Sequence, residues 1–528
     1  MDTIYFGGTV RTMEPDAPLS QALLVRDGLI AAIGTLDEVT ATARKGAFRV
    51  DLDGGTLLPG FIDPHSHFSG VAVAKLQVPL QEATSLEDLC ARVTAFISDN
   101  KVPPGAWVTG QGYDHNRLAE HCHPNRTLLD AAAPDNPVVV QHQSGHAGVF
   151  NSLALQTLGV TADTPLPEGG TIGKEGGALT GYLDENPFLS CLRQVPLPRQ
   201  EDFLRAFQQA EEVYFSHGIT TAQDGMITEE LVAPYQALIA SNTMRLDVVG
   251  YADCAKAEAI DSAFSQSGEN LSRRFRLGGY KIFLDGSPQA RTAWLRQPYT
   301  NGESCGQPTM TDAAVAAAVQ KAWEDKRQLL AHCNGDAAAA QYLSALENAA
   351  KAGRPMASLR PVLVHGQLLG LDQLPAVKRL GVIPSFFVAH IYHWGDVHLA
   401  NLGRDRADHL SPAGSALALG IPFTFHQDSP VLPPDMVETL WIAANRITKS
   451  GVLLGPEQRI PAEAALAAVT RNAAFQYFEE RQKGTLAPGK QADLVVLDRD
   501  PVVTDPAALC SIRVLRTVKG GETVWQRT

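Results

Sequence analysis

Two histidines, one residue apart, close an apolar run near the start of the chain: Leu57-Leu58-Pro59-Gly60-Phe61-Ile62-Asp63-Pro64-His65-Ser66-His67. Side chains two apart on a strand share a face, so His65 and His67 project together from its end. Two imidazoles held that way are a natural pair of ligands for a divalent metal. Lys281 sits inside a second apolar run, Gly278-Gly279-Tyr280-Lys281-Ile282-Phe283-Leu284. A lysine buried there is costly unless it is neutralised, paired or modified. It is either a salt-bridged core lysine or one carboxylated by CO₂, which turns a cation into a bidentate oxygen ligand. His332 closes Leu329-Leu330-Ala331-His332, His365 closes Val362-Leu363-Val364-His365, and Asp428 follows Phe423-Thr424-Phe425-His426-Gln427. Taken singly, each His or Asp is more often structural than functional. Their joint placement carries the argument. Imidazole plus carboxylate with an open position suits zinc, and zinc lowers the pKa of bound water from 15.7 to about 7.

These side chains need a frame that brings them together. Short apolar runs recur at Thr56–Asp63, Gly218–Gln223, Leu246–Tyr251, Leu277–Leu284, Gln328–His332, Pro361–His365, Val382–Phe387 and Pro422–His426. Helical stretches intervene, among them Asp312–Lys326, Ala337–Ala352 and Leu371–Leu380. Eight βα units predict an α/β fold, a (β/α)₈ TIM barrel, whose active site is built at the C-terminal ends of the strands. Apart from Lys281, which sits mid-strand, the candidate ligands fall at those ends. The gap after the first strand is too long for one crossover. Residues 70–210 are therefore expected to hold an insertion subdomain, with a strand at Val138–His142 and a Gly-rich stretch from 168 to 181. Residues 1–56 and 482–528 read as short strands and turns. Neither piece can bury its own core, so the two are expected to pair as a small composite β-sandwich domain, leaving 57–481 to the barrel.

The chain has 528 residues, 45% of them hydrophobic and 19% charged, which affords a large core and excludes global disorder. A net charge of −13 disfavours non-specific binding to nucleic acid or anionic membranes. Seven cysteines do not make a disulfide framework and fit a reducing compartment. No apolar run approaches the ~20 residues that span a bilayer. The start, MDTIYFGGTVRTM, lacks a basic region followed by an apolar stretch, so a cytoplasmic protein is expected. The partner is a small-molecule substrate, and a homodimer is the base-rate expectation.

Over nearly its whole length the sequence resembles the amidohydrolase superfamily, and within it the YtcJ-like metal-dependent hydrolases that include N-substituted formamide deformylases. Beside the His65/His67 motif, the resemblance rests on Gly105–Asp114, on Ser144-Gly145-His146 with Asn151-Ser152, on Gly218-Ile219-Thr220-Thr221, on Asp285-Gly286-Ser287 with Arg291-Thr292-Ala293, and on the tail Gly484–Asp498. It implies that His65 and His67 bind a more buried metal together with Asp428. It further implies that Lys281, as carboxylysine, bridges to a second metal held by His332 and His365. Two departures stand out. The family often shows Ser-Asp-x-Pro where this chain has His426-Gln427-Asp428-Ser429-Pro430. It often shows His-Ala-x-Gly-Asp where this chain has His332-Cys333-Asn334-Gly335-Asp336.

The expected reaction is hydrolysis of a C–N bond other than a peptide bond, in an amide or N-substituted formamide, by metal-activated hydroxide. One or two Zn²⁺ ions are the expected cofactor. Asp428 serves as general acid/base, taking the water proton and delivering it to the leaving nitrogen. His146, Arg291 and His390 are candidate substrate contacts, His390 first because it follows the seventh strand. The alternatives are a cyclic-amide hydrolase or deaminase of the same superfamily, or a non-catalytic scaffold. A deaminase is disfavoured because Cys333–Asp336 contains no Glu. His115, His121 and His123 lie among Asn116, Arg117, Asn125 and Arg126, which reads as a solvated loop rather than a further metal site. Aromatic residues near the expected barrel mouth, among them Phe387 and Trp394, suggest a hydrophobic substituent on the substrate.

Overall fold

The computed structural model describes residues 2–165, 170–196, 199–266, 274–300 and 302–528. The chain divides into two units, Met1–Gly70 with Gln208–Thr528, and Val71–Phe207.

In the first unit, eight parallel strands lie side by side in chain order: β1 (Phe61–Ile62), β2 (Ile219–Ile227), β3 (Asp247–Asp253), β4 (Phe275–Phe283), β5 (Gln328–Cys333), β6 (Val362–His365), β7 (Ile383–Phe386) and β8 (Thr424–Phe425). They read as apolar runs because helices cover a parallel sheet, so its strands are buried on both faces. Every residue of β1, β6, β7 and β8 is buried. Helices α1 (Asp312–Glu324), α2 (Asp336–Lys351), α3 (Leu374–Leu380) and α4 (His390–Leu402) follow β4, β5, β6 and β7 in turn. The strands curl as in an α/β barrel. Among the described residues no ladder pairs β8 with β1. That seam is tied instead by His67 N–H donating to Ser429 O (2.8 Å) and Ile62 N–H donating to Val469 O (2.9 Å).

The run Thr56–Asp63 is not the single barrel strand expected from its apolar sequence. Thr56–Pro59 pairs antiparallel with Leu494–Leu497 and parallel with Thr9–Arg11, and only Phe61–Ile62 joins the barrel. The break falls at Gly60. Its N–H donates to Asp493 O, and a Cβ there would lie 2.6 Å from Thr220 Cγ2. Only glycine lets the chain pass β2 that closely.

Strands from both ends of the chain pair with one another. One sheet runs Glu522–Gln526, Val514–Lys519, Leu494–Leu497, Thr56–Pro59, Thr9–Arg11, Leu19–Ser20, and another runs Leu29–Gly34, Ala22–Arg26, Asp2–Phe6, Phe48–Asp51. Tyr5, Leu23 and Val50 from the second sheet share one apolar cluster with Leu57, Leu494 and Val518 from the first. Asp247, at the start of β3, receives Lys483 Nζ and Lys519 Nζ at 2.5 Å each and Arg274 Nη1 at 3.0 Å. Lys519 also meets Asp493 at 2.6 Å. A buried charge network thus locks the terminal sheet to the barrel strands.

The second unit is built on a mixed sheet: Ile172–Glu175, Ala178–Asp184, Ala147–Phe150, Val138–His142, Val108–Tyr113, Gln77–Pro79. The β-branched run Val138-Val139-Val140 is fully buried, as the pleated surface favours. Helices Leu86–Asp99 and Arg126–Ala132 cover an apolar cluster that includes Leu89, Val93, Val108 and Leu129. Of the Gly-rich stretch 168–181, residues 168 and 169 lie outside the described residues, and the remainder contains the hairpin Ile172–Glu175/Ala178–Asp184. No helix of the described residues is long and apolar enough to cross a membrane. All seven cysteines are free.

Candidate metal centre

The ends of β1, β4, β5, β6 and β8 deliver the expected ligands to one place. His65 and His67 follow β1. Their Nε2 atoms stand 3.1 Å and 3.3 Å from Asp428 Oδ1, which follows β8. His365, at the end of β6, has Nε2 3.1 Å from Nδ1 of His332 in β5. Lys281, mid-strand in β4, has Nζ 3.4 Å from His65 Nε2. One donor atom each from His65, His365 and Asp428 lies within 4.8 Å of the others. Zinc bonds of 2.0–2.2 Å put neighbouring donors about 3.3 Å apart in a tetrahedron, so the spacing suits a cation.

Two observations test whether these side chains fit a metal. Asp428 Oδ1 is buried and lacks hydrogen-bond geometry to any partner, although two imidazole nitrogens crowd it. Oδ1 thus sits among imidazole nitrogens without being hydrogen-bonded to them. Lys281 is fully buried, and the side-chain partner of its Nζ is an imidazole, not a carboxylate. A permanent ammonium there would be poorly compensated. Burial pulls its pKa down to about 8. Burial likewise lowers His65 to about 4 and His332 to about 3, and holds His365 well below the usual imidazole range, so their lone pairs are open to a cation. For Asp428, burial opposes the charge, but the facing imidazoles of His365, His65 and His67 outweigh it and keep the carboxylate ionised. His365 (φ +73°) and Asp428 (φ +55°) both occupy the left-handed region, where strain in non-glycine residues concentrates at functional sites.

Three supporting residues were given no role from the sequence, although Asp285 lies in the motif Asp285-Gly286-Ser287 and His426 in His426-Gln427-Asp428-Ser429-Pro430. Gln223 of β2 places Oε1 2.6 Å from His65 Nδ1, while its Nε2 donates to Pro64 O (2.6 Å) and Tyr477 Oη (3.2 Å). The amide is thereby oriented, Nδ1–H of His65 donates to it, and the Nε2 lone pair is left facing the cup. Asp285 accepts backbone N–H groups from Asn334 (2.9 Å), Gly335 (2.7 Å) and Trp294 (3.0 Å), which ties the loop after β4 to the loop after β5. Burial pushes its pKa up to about 7. His332 Nε2 lies 3.2 Å from Gly286 O in the same loop, which leaves Nδ1 as the donor atom. His426 is fully buried, its ring 4.9 Å from His65 and 5.1 Å from His365, and neither ring nitrogen has a hydrogen-bond partner. Alternation along the strand puts it on the same side as Asp428.

The candidate substrate contacts lie on three different segments of the chain. His390 is buried at the start of α4, its Nδ1 3.0 Å from His398 Nε2, packed between Phe387 (4.7 Å) and Trp394 (4.6 Å). Arg291 is exposed and donates Nε to Asn401 Oδ1 at 2.8 Å. His146 belongs to the second unit, where its exposed ring lies 3.2 Å from Glu185 Oε2. In that unit His115 and His123 are not merely solvated loop residues. They stack at 4.3 Å, and His123 Nδ1 lies 2.8 Å from the hydroxyl of buried Tyr113. His121 is exposed, as its polar neighbours suggested.

The model of the "Amidohydrolase family" matches residues 49–525. The chain is 27% identical to "Putative amidohydrolase YtcJ" of Bacillus subtilis (strain 168), covering 100% of both chains. It is 28% identical to "N-substituted formamide deformylase" of Arthrobacter pascens, covering 100% of this chain and 99% of that one. Among solved structures, an uncharacterized metal-dependent hydrolase from Pyrococcus horikoshii OT3 superposes with a TM-score of 0.76 at 25% identity, over 96% of this chain and 99% of that one. One from Pyrococcus furiosus gives the same TM-score at 24% identity, over 95% and 100%. With a cation-ready cup at the mouth of a parallel β/α frame and a family match over nearly its whole length, the chain belongs to the amidohydrolase family, among its YtcJ-like metal-dependent hydrolases.

Proposed function

We propose that the chain hydrolyses the C–N bond of a small N-substituted amide, with N-substituted formamides as the first candidates. The carrying observation is the convergence of His65, His365 and Asp428 donor atoms within 4.8 Å. The deformylase among the relatives supports the substrate class. In this reading His65, His67, Lys281, His332, His365 and Asp428 hold one or two zinc ions, with His426 as a further imidazole beside them. A cation bound there would acidify water and polarise the substrate carbonyl. Asp428, kept ionised by the imidazoles facing it, accepts the proton that water gives up. It then delivers that proton to the leaving nitrogen, which an amide requires because its nitrogen anion is a poor leaving group.

In this reading Lys281 is the residue that is carboxylated. With a pKa of about 8, roughly one molecule in ten carries the free amine at pH 7, and that amine is the form that adds to CO₂. The carbamate would replace the buried ammonium by an anion whose oxygens could share a cation held by the neighbouring imidazoles and Asp428, which would compensate its burial. Phe387 and Trp394, packed about His390, favour a substrate with an apolar substituent.

The test is amine release from N-formyl and N-acetyl amines with aromatic substituents, using zinc-loaded enzyme with added bicarbonate. Wild type is expected to turn over at least one series. Asp428→Asn is expected to lose at least about 10³-fold in kcat while keeping its fold and most of its cation, since it removes both proton transfers. Near-native rates in the Asn variant would refute the role given to Asp428.

A further inference from the structure

We propose that Asp114, His115 and His142 form a second cation site, carried entirely by the second unit and selective for a zinc-like divalent ion.

Two adjacent parallel strands build the cluster. Val108–Tyr113 and Val138–His142 run in register until a bulge between Gln111 and Tyr113, after which Tyr113 pairs with His142. The extra residue is Gly112, at φ +90°, where a Cβ would lie 2.7 Å from Gln81 Cγ. Only glycine allows that close, left-handed step. It rephases the strand so that the next residues, Asp114 and His115, arrive over the end of the neighbouring strand. There His115 Nδ1 is 3.1 Å from His142 Nε2, Asp114 Oδ1 is 3.8 Å from His142 Nε2, and Asp114 Oδ1 is 4.0 Å from His115 Nδ1. All three donor atoms lie within 4.8 Å of one another. A shift of a few tenths of an ångström per atom would bring the triangle to the ~3.3 Å edges of a zinc tetrahedron.

His142 Nδ1 accepts the Ser144 backbone N–H at 3.2 Å and lies 2.9 Å from Ser144 Oγ, which leaves the ring proton on Nε2, facing His115 Nδ1. A cation at Nε2 would displace that proton. His123 stacks on His115 at 4.3 Å, with its ring 5.6 Å from His142, so a third imidazole stands next to the open side of the triangle. Its Nδ1 is anchored by Tyr113 Oη at 2.8 Å, which leaves Nε2 as its free nitrogen. Two imidazoles and one carboxylate favour zinc and its transition-metal neighbours over Mg²⁺ or Ca²⁺, which prefer all-oxygen shells. This donor set shares no residue with the cup in the barrel, so its occupancy can be counted separately.

The test counts bound Zn²⁺ by elemental analysis on the full chain, stripped with chelator, reloaded and freed of excess. Four proteins are compared: wild type, His142→Ala, Asp114→Asn, and the cup variant His65→Ala/His67→Ala. Asp114→Asn keeps one oxygen for the Asn116 N–H and Nδ2 now held at 2.9 Å and 3.1 Å while removing the charge and the second carboxylate oxygen, so it answers if His142→Ala fails to fold. Wild type is expected to bind one equivalent more than either second-unit variant. The cup variant is expected to keep that equivalent and, loaded with Co²⁺, to show a visible absorption band that disappears on adding His142→Ala. Equal zinc counts in wild type, His142→Ala and Asp114→Asn, or a cup variant that binds no cation, would overturn the proposal and show the cluster to be a hydrogen-bonded histidine pair only. Loss of zinc from the cup variant alone bears on the barrel site, so the two readings fail separately.

Discussion

At the scale of single residues, the account rests on side chains whose environment leaves them one role. Lys281 has traded the solvation of an ammonium for full burial, and its pKa falls to about 8. Because the folded pKa is depressed, the free amine grows as pH rises toward and past 8. Incorporation of ¹³C-bicarbonate into a carbamate carbonyl, read by NMR, is therefore expected to be several-fold greater at pH 8.5 than at pH 6.5, and absent in Lys281→Met. Carbamate signal independent of pH, or surviving in the Met variant, would contradict it. The convergence of these side chains was legible because residue type and position agreed: His65 and His67 two apart at the end of an apolar run, and His332, His365 and Asp428 each at or just past a strand end. His426 was given no role although it too closes an apolar run, and only its two partnerless ring nitrogens in the structure single it out. His115 and His123 were hidden by polar neighbours, and by the 27 residues separating His115 from His142.

At the scale of elements, the strands orient the candidate ligands as well as deliver them. Gln223 of β2 is the clearest case, since its amide is fixed by Pro64 O and Tyr477 Oη and in turn fixes the tautomer of His65. Gln223→Leu is expected to weaken cation binding about 10–100-fold, read by competition with a chromophoric chelator. Gln223→Glu, which keeps an acceptor for Nδ1–H, is expected to recover part of that loss. Equal losses in both variants would mean that Gln223 acts through packing alone. A glutamine in an apolar strand offers no such clue in sequence, because its importance lies in a partner 158 residues away. The parallel order of β1–β8 was readable from alternating apolar runs and helices. The division of Thr56–Asp63 was not, because Gly60 looks like any strand glycine until Thr220 is seen against it.

At the scale of the whole molecule, the two ends of the chain are pinned to the barrel strands by Asp247 with Lys483, Lys519 and Arg274. Burial opposes the charge on Asp247, but the two lysines and Arg274 outweigh it and hold its carboxyl far below the ordinary value. Its folded pKa lies below its unfolded one, so this stabilisation is complete above about pH 4 and is lost as pH falls further. Asp247→Asn is expected to cost about 3 kcal/mol at pH 7 by leaving buried lysines short of a counter-charge, and to flatten the acid limb of the stability curve. Urea midpoints at pH 7 and at about pH 2.5, below the unfolded pKa, check both, and an unchanged midpoint would show the network to be neutral. The pairing of chain ends was legible because neither terminal piece could bury a core alone; the charge network was not, since its members span Asp247 to Lys519. The central claim, that distant side chains converge on one cation, is tested most directly by an anomalous difference map at the zinc edge from crystals of the zinc-loaded protein. The account predicts a peak about 2.0–2.3 Å from donor atoms of His65, His365 and Asp428. An active enzyme with no peak among those three side chains would contradict it.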